Sequence, residues 1–289
     1  MKSGIFKSDF ILLFVAVIWG FAFVAQRLGM EHVGPFTFNW LRFLLGCLSL
    51  LPIIFFQRNS ASAKPNPGIV KAGIISGFFL FLGISFQQVG MVYTTAGKAG
   101  FITGLYVVIV PFLNLFFKQD RTSVGTWIGA ILASIGMFLL SATKTMGMEF
   151  GDVLVLFSAI CFAFHLIIIG RLSNRFNTAR LSFVQCLICA FLSLLVAAVY
   201  ETFVLADILK ITIPIFYGGV LSVGVAYSLQ IYGQKNSPAS HAAILFSLES
   251  VFAAIGGWLI LNELLSGRAI FGCALMLSGM LISQLCYKK

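Results

Sequence analysis

The sequence predicts an all-α integral membrane protein of ten transmembrane helices, arranged as two inverted five-helix repeats. Three observations carry that prediction. Of the 289 residues 60% are apolar, 15% aromatic and only 10% charged, and the mean hydropathy is +1.02. A soluble domain carries about 45–50% apolar and about 25% charged residues, so a soluble fold could not cover its core with so few charges. Apolar runs of about 20 residues, long enough to cross a bilayer, recur along the whole chain. The end of the first half also resembles the end of the second. These features argue against a soluble enzyme, a nucleic-acid module and a secreted disulfide scaffold.

The runs fall at residues 9–28, 36–56, 69–90, 97–117, 124–142, 151–170, 180–199, 209–231, 239–261 and 268–287. The first follows Lys2 and Lys7, as a signal peptide would. It is too long for a cleaved apolar region and more spans follow, so it reads as the first helix. Gly34-Pro35 precedes the second run, Pro65-Asn66-Pro67 the third and Ser237-Pro238 the ninth. These residues break the runs. The links are short and polar and leave no room for an extramembrane domain. Lys144-Thr145-Met146-Gly147 separates the two repeats, 1–143 and 150–289.

The net charge of +10 is distributed as a topology signal and not as a nucleic-acid face. Lys2, Lys7, Arg58, Lys64, Lys71, Lys118, Arg121, Arg171, Arg175, Arg180, Lys235, Lys288 and Lys289 fall on one side of the alternating spans. Only Arg27, Lys98, Lys144, Lys210 and Arg268 fall on the other, and Arg42 lies within a span. The positive-inside rule then makes both termini cytoplasmic, in agreement with an even number of spans, and the location a plasma or inner cell membrane. All six cysteines sit in apolar runs. Cys186-Leu-Ile-Cys189 has no basic neighbour and no second pair, so it reads as buried small hydrophobes and not as a redox or zinc site.

Gln88 to Asn114 lines up with Gln230 to Gly256 without a gap, and a one-residue shift then brings Ile128-Gly129 onto Phe271-Gly272. Five helices per half is an odd number, so the second half enters from the opposite side. Inverted repeats of this kind place a substrate site at their interface near mid-bilayer.

Ionisable groups inside spans are costly and face the bundle interior or a water-filled cavity, so each is a site candidate. Glu249 sits roughly 16 Å into the ninth span, close to the middle of a ~30 Å core. It reads as a proton-coupling carboxylate, as a ligand for a substrate amine, or as a structural partner of Arg42. Arg42 lies roughly 10 Å below the outer end of the second span. Its guanidinium suits a bidentate fork to a substrate carboxylate, and suits neutralising Glu249 equally well. His165 fits a proton relay or a hydrogen-bonded core histidine. Lys98 lies at the outer mouth of the fourth span, on a helix striped with Ala96, Gly100 and Gly104, and either snorkels or points inward. Gln87, Gln88 and Gln230 occupy repeat-related helix ends, where amides bind polar substrate groups or cap neighbouring helices. Asn39, Asn114 and Gln185 carry the same alternatives. Trp40, Trp127 and Trp258 lie near span ends as an aromatic belt. Trp19 falls near mid-depth, where its indole N–H needs a partner, and with Tyr106 it suits the wall of a cavity. Gly73-Gly77 and Gly125-Gly129 mark packing seams within one chain or between two.

Several motifs are missing from the sequence. There is no G-x-x-x-x-G-K-[ST] phosphate loop for ATP hydrolysis, no H-E-x-x-H, no His/Cys ligand cluster, no G-x-S-x-G elbow and no repeated filter. No cofactor and no metal are expected. The expected partners are a small-molecule substrate and the lipid bilayer, with no nucleic acid, in a monomer or homodimer.

In order and spacing, several fragments resemble one family. They are Ile18-Trp19-Gly20, Leu41-Arg42-Phe43-Leu44-Leu45, Tyr93-Thr94-Thr95-Ala96-Gly97-Lys98-Ala99-Gly100 through Leu105-Tyr106, Ser247-Leu248-Glu249-Ser250-Val251-Phe252, and Leu261-Asn262-Glu263. Together they resemble the EamA-type transporters of the drug/metabolite transporter superfamily over nearly the whole chain. Ser250 departs from the proline that usually follows the glutamate, and Asp120-Arg121 stand where a glutamate often ends the fourth span. The resemblance implies a ten-helix carrier, not an enzyme, exporting amino acids or related metabolites by alternating access. Two other readings accompany it: an importer or exchanger of the same fold, and a membrane-embedded enzyme or accessory subunit using Arg42, His165 and Glu249. The last requires those three groups to converge within hydrogen-bonding reach.

Overall fold

The structure, a computed structural model, describes residues 2–57, 67–94, 96–117, 123–141, 149–261 and 266–285. Among these residues every regular element is helical. The first half contributes α1 (Lys2–Gly29), α2 (Pro35–Phe56), α3 (Ile69–Tyr93), α4 (Ala96–Gly104), α5 (Tyr106–Phe117) and α6 (Val124–Ser141). The second contributes α7 (Phe150–Leu172), α8 (Thr178–Tyr200), α9 (Leu205–Lys210), α10 (Thr212–Phe216), a π-helical segment (Tyr217–Ala226), α11 (Tyr227–Gly233), α12 (Ala239–Ser247), α13 (Glu249–Ile260) and α14 (Gly267–Leu285).

Eight helical stretches are long and apolar enough to cross a membrane, and two shorter apolar helices, Val124–Leu139 and Gly267–Ser283, accompany them. The chain is a multi-pass membrane protein. Its burial pattern follows from the solvent. Exposed side chains along the spans are apolar, such as Leu48 and Phe55 on α2, Phe78 on α3 and Phe191 on α8. Gln87, Gln88, Gln185 and Gln230 are buried, because a polar group facing lipid has no partner there.

Three spans that read as continuous in the sequence are broken. Residues 97–117 form α4 and α5, interrupted at Leu105, and residues 239–261 form α12 and α13, interrupted at Leu248. Apolar periodicity does not register these breaks, which come from the backbone. Gly104 loosens one, and at the other the Ser247 hydroxyl donates to the Ile244 carbonyl at 2.8 Å, a back-bond that bends helices. The two pairs have equal lengths, nine and twelve residues each. The third broken span, Thr212–Gly233, contains the π-helical segment. There Gly219 and Gly46 let the segment close on α2: a Cβ at Gly46 would meet Val223 at 2.3 Å, and one at Gly219 would meet Leu45 at 2.7 Å.

Helix ends show how the halves face each other. Glu201, just past α8, accepts from the Phe36 and Thr37 amides at the start of α2, at 2.9 and 2.6 Å. There a carboxylate satisfies orphan N–H groups and complements the helix dipole. Asn177, which caps α8 by accepting from Arg180 N–H, donates to Gln57 at the end of α2. Thus α2 and α8 run antiparallel. So do α6 and α14: a Cβ at Gly129 would lie 2.6 Å from the Gly279 carbonyl, and one at Gly136 would lie 2.5 Å from the Gly272 carbonyl. Backbone contact of this kind leaves no room for a side chain. Gly136→Leu is therefore expected to destabilise the fold by about 1–3 kcal/mol, as overpacking does, read as a lower melting midpoint in detergent. An unchanged midpoint would mean that this seam can open without cost.

Candidate functional site

The spans enclose a cavity in the middle of the bundle with a volume of about 50 Å³. One buried water needs about 10–15 Å³ on this measure, so the space holds a few waters or a small flat group. Its walls come from both halves, and the pairing is regular. Trp19 and Phe162, Ala22 and His165, Phe23 and Leu166, Ile84 and Tyr227, Gln87 and Gln230, Thr103 and Phe246, and Tyr106 and Glu249 all line it. Each pair is separated by 143 residues, as for Tyr106 and Glu249. Among the lining residues only Gln26, Arg42 and Ser222 stand outside such a pair.

That separation corrects the alignment of the halves. Gln230 corresponds to Gln87 and not to Gln88, and the separation seen at Gly129 and Gly272 holds for the cavity pairs from α1 onward. One residue turns a helix by about 100°. Gln87 therefore faces the cavity and donates to the Thr103 hydroxyl at 3.1 Å, whereas Gln88 is buried away from it, its amide without a hydrogen-bond partner.

Glu249 opens α13 immediately after the Leu248 break, and Tyr106 opens α5 immediately after the Leu105 break. The two broken helices meet there, and the Tyr106 hydroxyl donates to Glu249 Oε1 at 2.9 Å. Arg42, 2% exposed, does not pair with Glu249: among the described residues no ion pair within 4.0 Å joins them. Its Nε donates to Asn39 at 3.1 Å and its guanidinium carbon lies 5.4 Å from the ring centroids of both Phe38 and Phe43. Its Nη2 has no hydrogen-bond partner. Cation–π contact offsets part of the desolvation of a guanidinium but leaves its charge uncancelled. The cavity wall thus carries a buried cation that an anion would neutralise.

His165 exchanges a hydrogen bond with Gln185 at 3.1 Å and stands edge-on to Tyr227. Gln185 is the residue that corresponds to Arg42 in the second half. Trp19 stacks against Tyr227 and Phe246 with centroids 5.1 Å apart, and its indole N–H donates to the Ser222 carbonyl in the π-helical segment at 3.2 Å. Both polar atoms of the Gln230 amide are buried without a partner. Of the residues singled out from sequence, Glu249, Arg42, His165, Trp19, Tyr106 and Gln230 stand on the cavity wall. Lys98 belongs to α4, and its side chain lies outside the described residues.

Phe162, Ser222, Tyr227, Phe246, Gln26 and Thr103 were not foreseen from sequence. The correct separation would have found Phe162 from Trp19. The others carry no signal that distinguishes them from core aromatics and hydroxyls. Arg42, His165 and Glu249 share the cavity but bond to Asn39, Gln185 and Tyr106, and not to one another. That arrangement holds and orients a polar guest. It lacks a base poised against a nucleophile.

Comparison with known proteins gives concordant results. The model of a family described as EamA-like transporters matches twice, over residues 6–142 and 149–284. A protein of Archaeoglobus fulgidus named an uncharacterized transporter is 32% identical over 285 residues, covering 96% of this chain and 86% of its own. The uncharacterized transporter YoaV of Bacillus subtilis is 21% identical over 284 residues, covering 96% and 97%. One solved structure superposes with a TM-score of 0.78 at 19% identity, over 96% of this chain and 97% of that one. At that identity the likeness is one of fold.

Proposed function

We propose, because this chain belongs to the EamA-like transporter family, that it is a secondary-active carrier whose substrate site is the central cavity. In this reading the eight long spans and the two shorter apolar helices make ten crossings, and the halves are inverted repeats about an axis through the cavity. The observation that carries it is the pairing of the walls: residues separated by 143 positions line a single space together. A site built at the interface of two such halves can be exposed to either side by rocking one against the other.

The chemistry of the wall favours a small metabolite with an anionic group for Arg42 and an amine or a proton exchanged at Glu249, with aromatic surface for a flat or apolar portion. Amino acids and related zwitterions fit this description. Export, driven by protons entering the cell, is the direction that the resemblance favours. The bias of Lys and Arg supports a cytoplasmic location for both termini, in a plasma or inner membrane.

Two measurements test the reading. Cells with and without the protein are compared for retained metabolites, and those that differ are offered to the purified carrier in liposomes under a pH gradient. Gradient-dependent movement of one zwitterionic class is expected, and no movement of any offered class would reject the carrier. Cysteines introduced beside Lys64 and Arg175 are expected to react only from the cytoplasmic side, and one beside Lys144 only from outside. Reaction from one side at all three would reject the inverted arrangement.

A further inference from the structure

Polar clusters sit at the two ends of the bundle, beyond the cavity. At the end where α1 begins, Asp9 Oδ1 meets His241 Nε2 at 3.1 Å, and His241 Nδ1 meets the Ser283 hydroxyl at 3.2 Å. This ties α1, α12 and α14 together. At the opposite end, where α3 finishes and α7 starts, the Thr94 hydroxyl donates to Asp152 Oδ1. Asp9 and Asp152 are separated by the same 143 residues as the cavity pairs, so they are one position of the repeat seen at two ends. Thr94 corresponds in the same way to Ser237, which precedes α12, and Lys98 to His241. All four of Asp9, His241, Asp152 and Thr94 are less than a tenth exposed.

Burial of this kind is a poor source of stability. A buried charged or hydrogen-bonded pair contributes little beyond what well-packed apolar residues would, and its best-attested use is in a switch or register. A polar tie suits a contact that must also come apart: when the helices separate, water replaces each lost hydrogen bond, whereas an apolar seal would expose apolar surface. Each cluster joins helices that carry the cavity wall. Trp19 is on α1, Phe246 on α12, Gln87 on α3 and His165 on α7. In this structure both clusters are made.

We propose that Asp9 with His241 and Ser283, and Asp152 with Thr94, are the two access latches of the carrier, positioning residues that release in turn at opposite ends of the cavity. The proposal rests on the carrier reading above, and its test needs no substrate. Hydrogen–deuterium exchange is measured on the full chain in lipid nanodiscs. Asp9→Asn is expected to raise exchange about tenfold around residues 234–245, the scale of losing one charge-assisted hydrogen bond, and to lower it around residues 90–104. Asp152→Asn is expected to do the reverse, and the double variant to return both ends towards the parent.

Protection gained at the far end is the decisive readout, since a merely structural tie would loosen only its own end. Faster exchange confined to the altered end, or no change at either, would overturn the proposal. Should either aspartate variant fail to fold, His241→Gln and Thr94→Ala report on the same two ends, with the same expectation. Liposome uptake by the parent protein separates the two ideas. Transport without reciprocal exchange rejects only the latches, and reciprocal exchange without transport rejects only the carrier.

Discussion

Glu249→Gln is expected to lower pH-driven accumulation in liposomes by at least about tenfold, while folding and exchange of substrate for substrate persist. The argument begins with geometry. Glu249 stands at the break between α12 and α13, accepts from Tyr106 and does not pair with Arg42. Glutamine keeps the size, and its carbonyl oxygen can accept the same Tyr106 hydrogen bond, but it cannot exchange a proton. A transport cycle that requires proton release at this position therefore stops, and one that only swaps bound substrates continues. Had Glu249 been neutralising Arg42, glutamine would have left a buried guanidinium unpaired and the variant would have been poorly folded. The structure removes that objection, because Arg42 already lacks an acidic partner there. Normal pH-driven accumulation by the glutamine variant would exclude Glu249 from coupling.

Arg42→Gln should separate affinity from stability, with opposite signs. Loss of a charge-assisted hydrogen bond to a substrate anion is worth about 1.5–3 kcal/mol, or about 10- to 150-fold in dissociation constant. The melting midpoint of the substrate-free protein is expected to stay the same or rise, because a desolvated cation without a counter-ion is removed. Arg42→Lys should not restore binding. The planar group stacks on Phe38 and Phe43 and presents a fork that an ammonium cannot reproduce. Binding titrations and thermal melts on the same preparations measure both quantities. Unchanged affinity with a lowered melting midpoint would make Arg42 a structural residue.

The membrane class, eight of the ten apolar runs as membrane-long helices and most of the polar wall were legible in the sequence, because lipid tolerates few exceptions. Glu249, Arg42 and His165 stand out against an apolar background, and Trp19 stands out by its depth. What escaped was angular. Gln87 and Gln88 are indistinguishable by composition, and an alignment one residue out selects the wrong one. The breaks at Leu105 and Leu248 escaped for another reason. Neither contains a proline, and a missing backbone hydrogen bond leaves no mark on hydropathy. Of the two readings open for Arg42, the structure does not make the ion pair with Glu249. Two opposite charges inside spans allow an ion pair, but Arg42 stacks on its own helix's rings and Glu249 accepts from the tyrosine that corresponds to it in the other half. Asp9 and His241 went unnoticed because each lies near a span end, where a charge needs no special account. Only their contact with each other and with Ser283 sets them apart.

The π-helical segment Tyr217–Ala226 has no twin: the corresponding stretch of the first half, residues 74–83, is ordinary α-helix inside α3. On the carrier reading, two identical inverted halves would make the inward- and outward-facing conformers equivalent by a twofold rotation and equal in free energy, and an empty carrier would divide its time evenly between them. One irregular helix abolishes that degeneracy. An offset of about 1.4 kcal/mol already weights the populations tenfold. On that reading the unloaded protein is expected to rest facing one compartment, and apparent affinities measured from the two sides to differ by the same factor. At equilibrium such a bias moves nothing uphill, since only a gradient can do that. On the carrier reading it is expected to set which face the unloaded molecule presents most of the time, and so on which side substrate is met first.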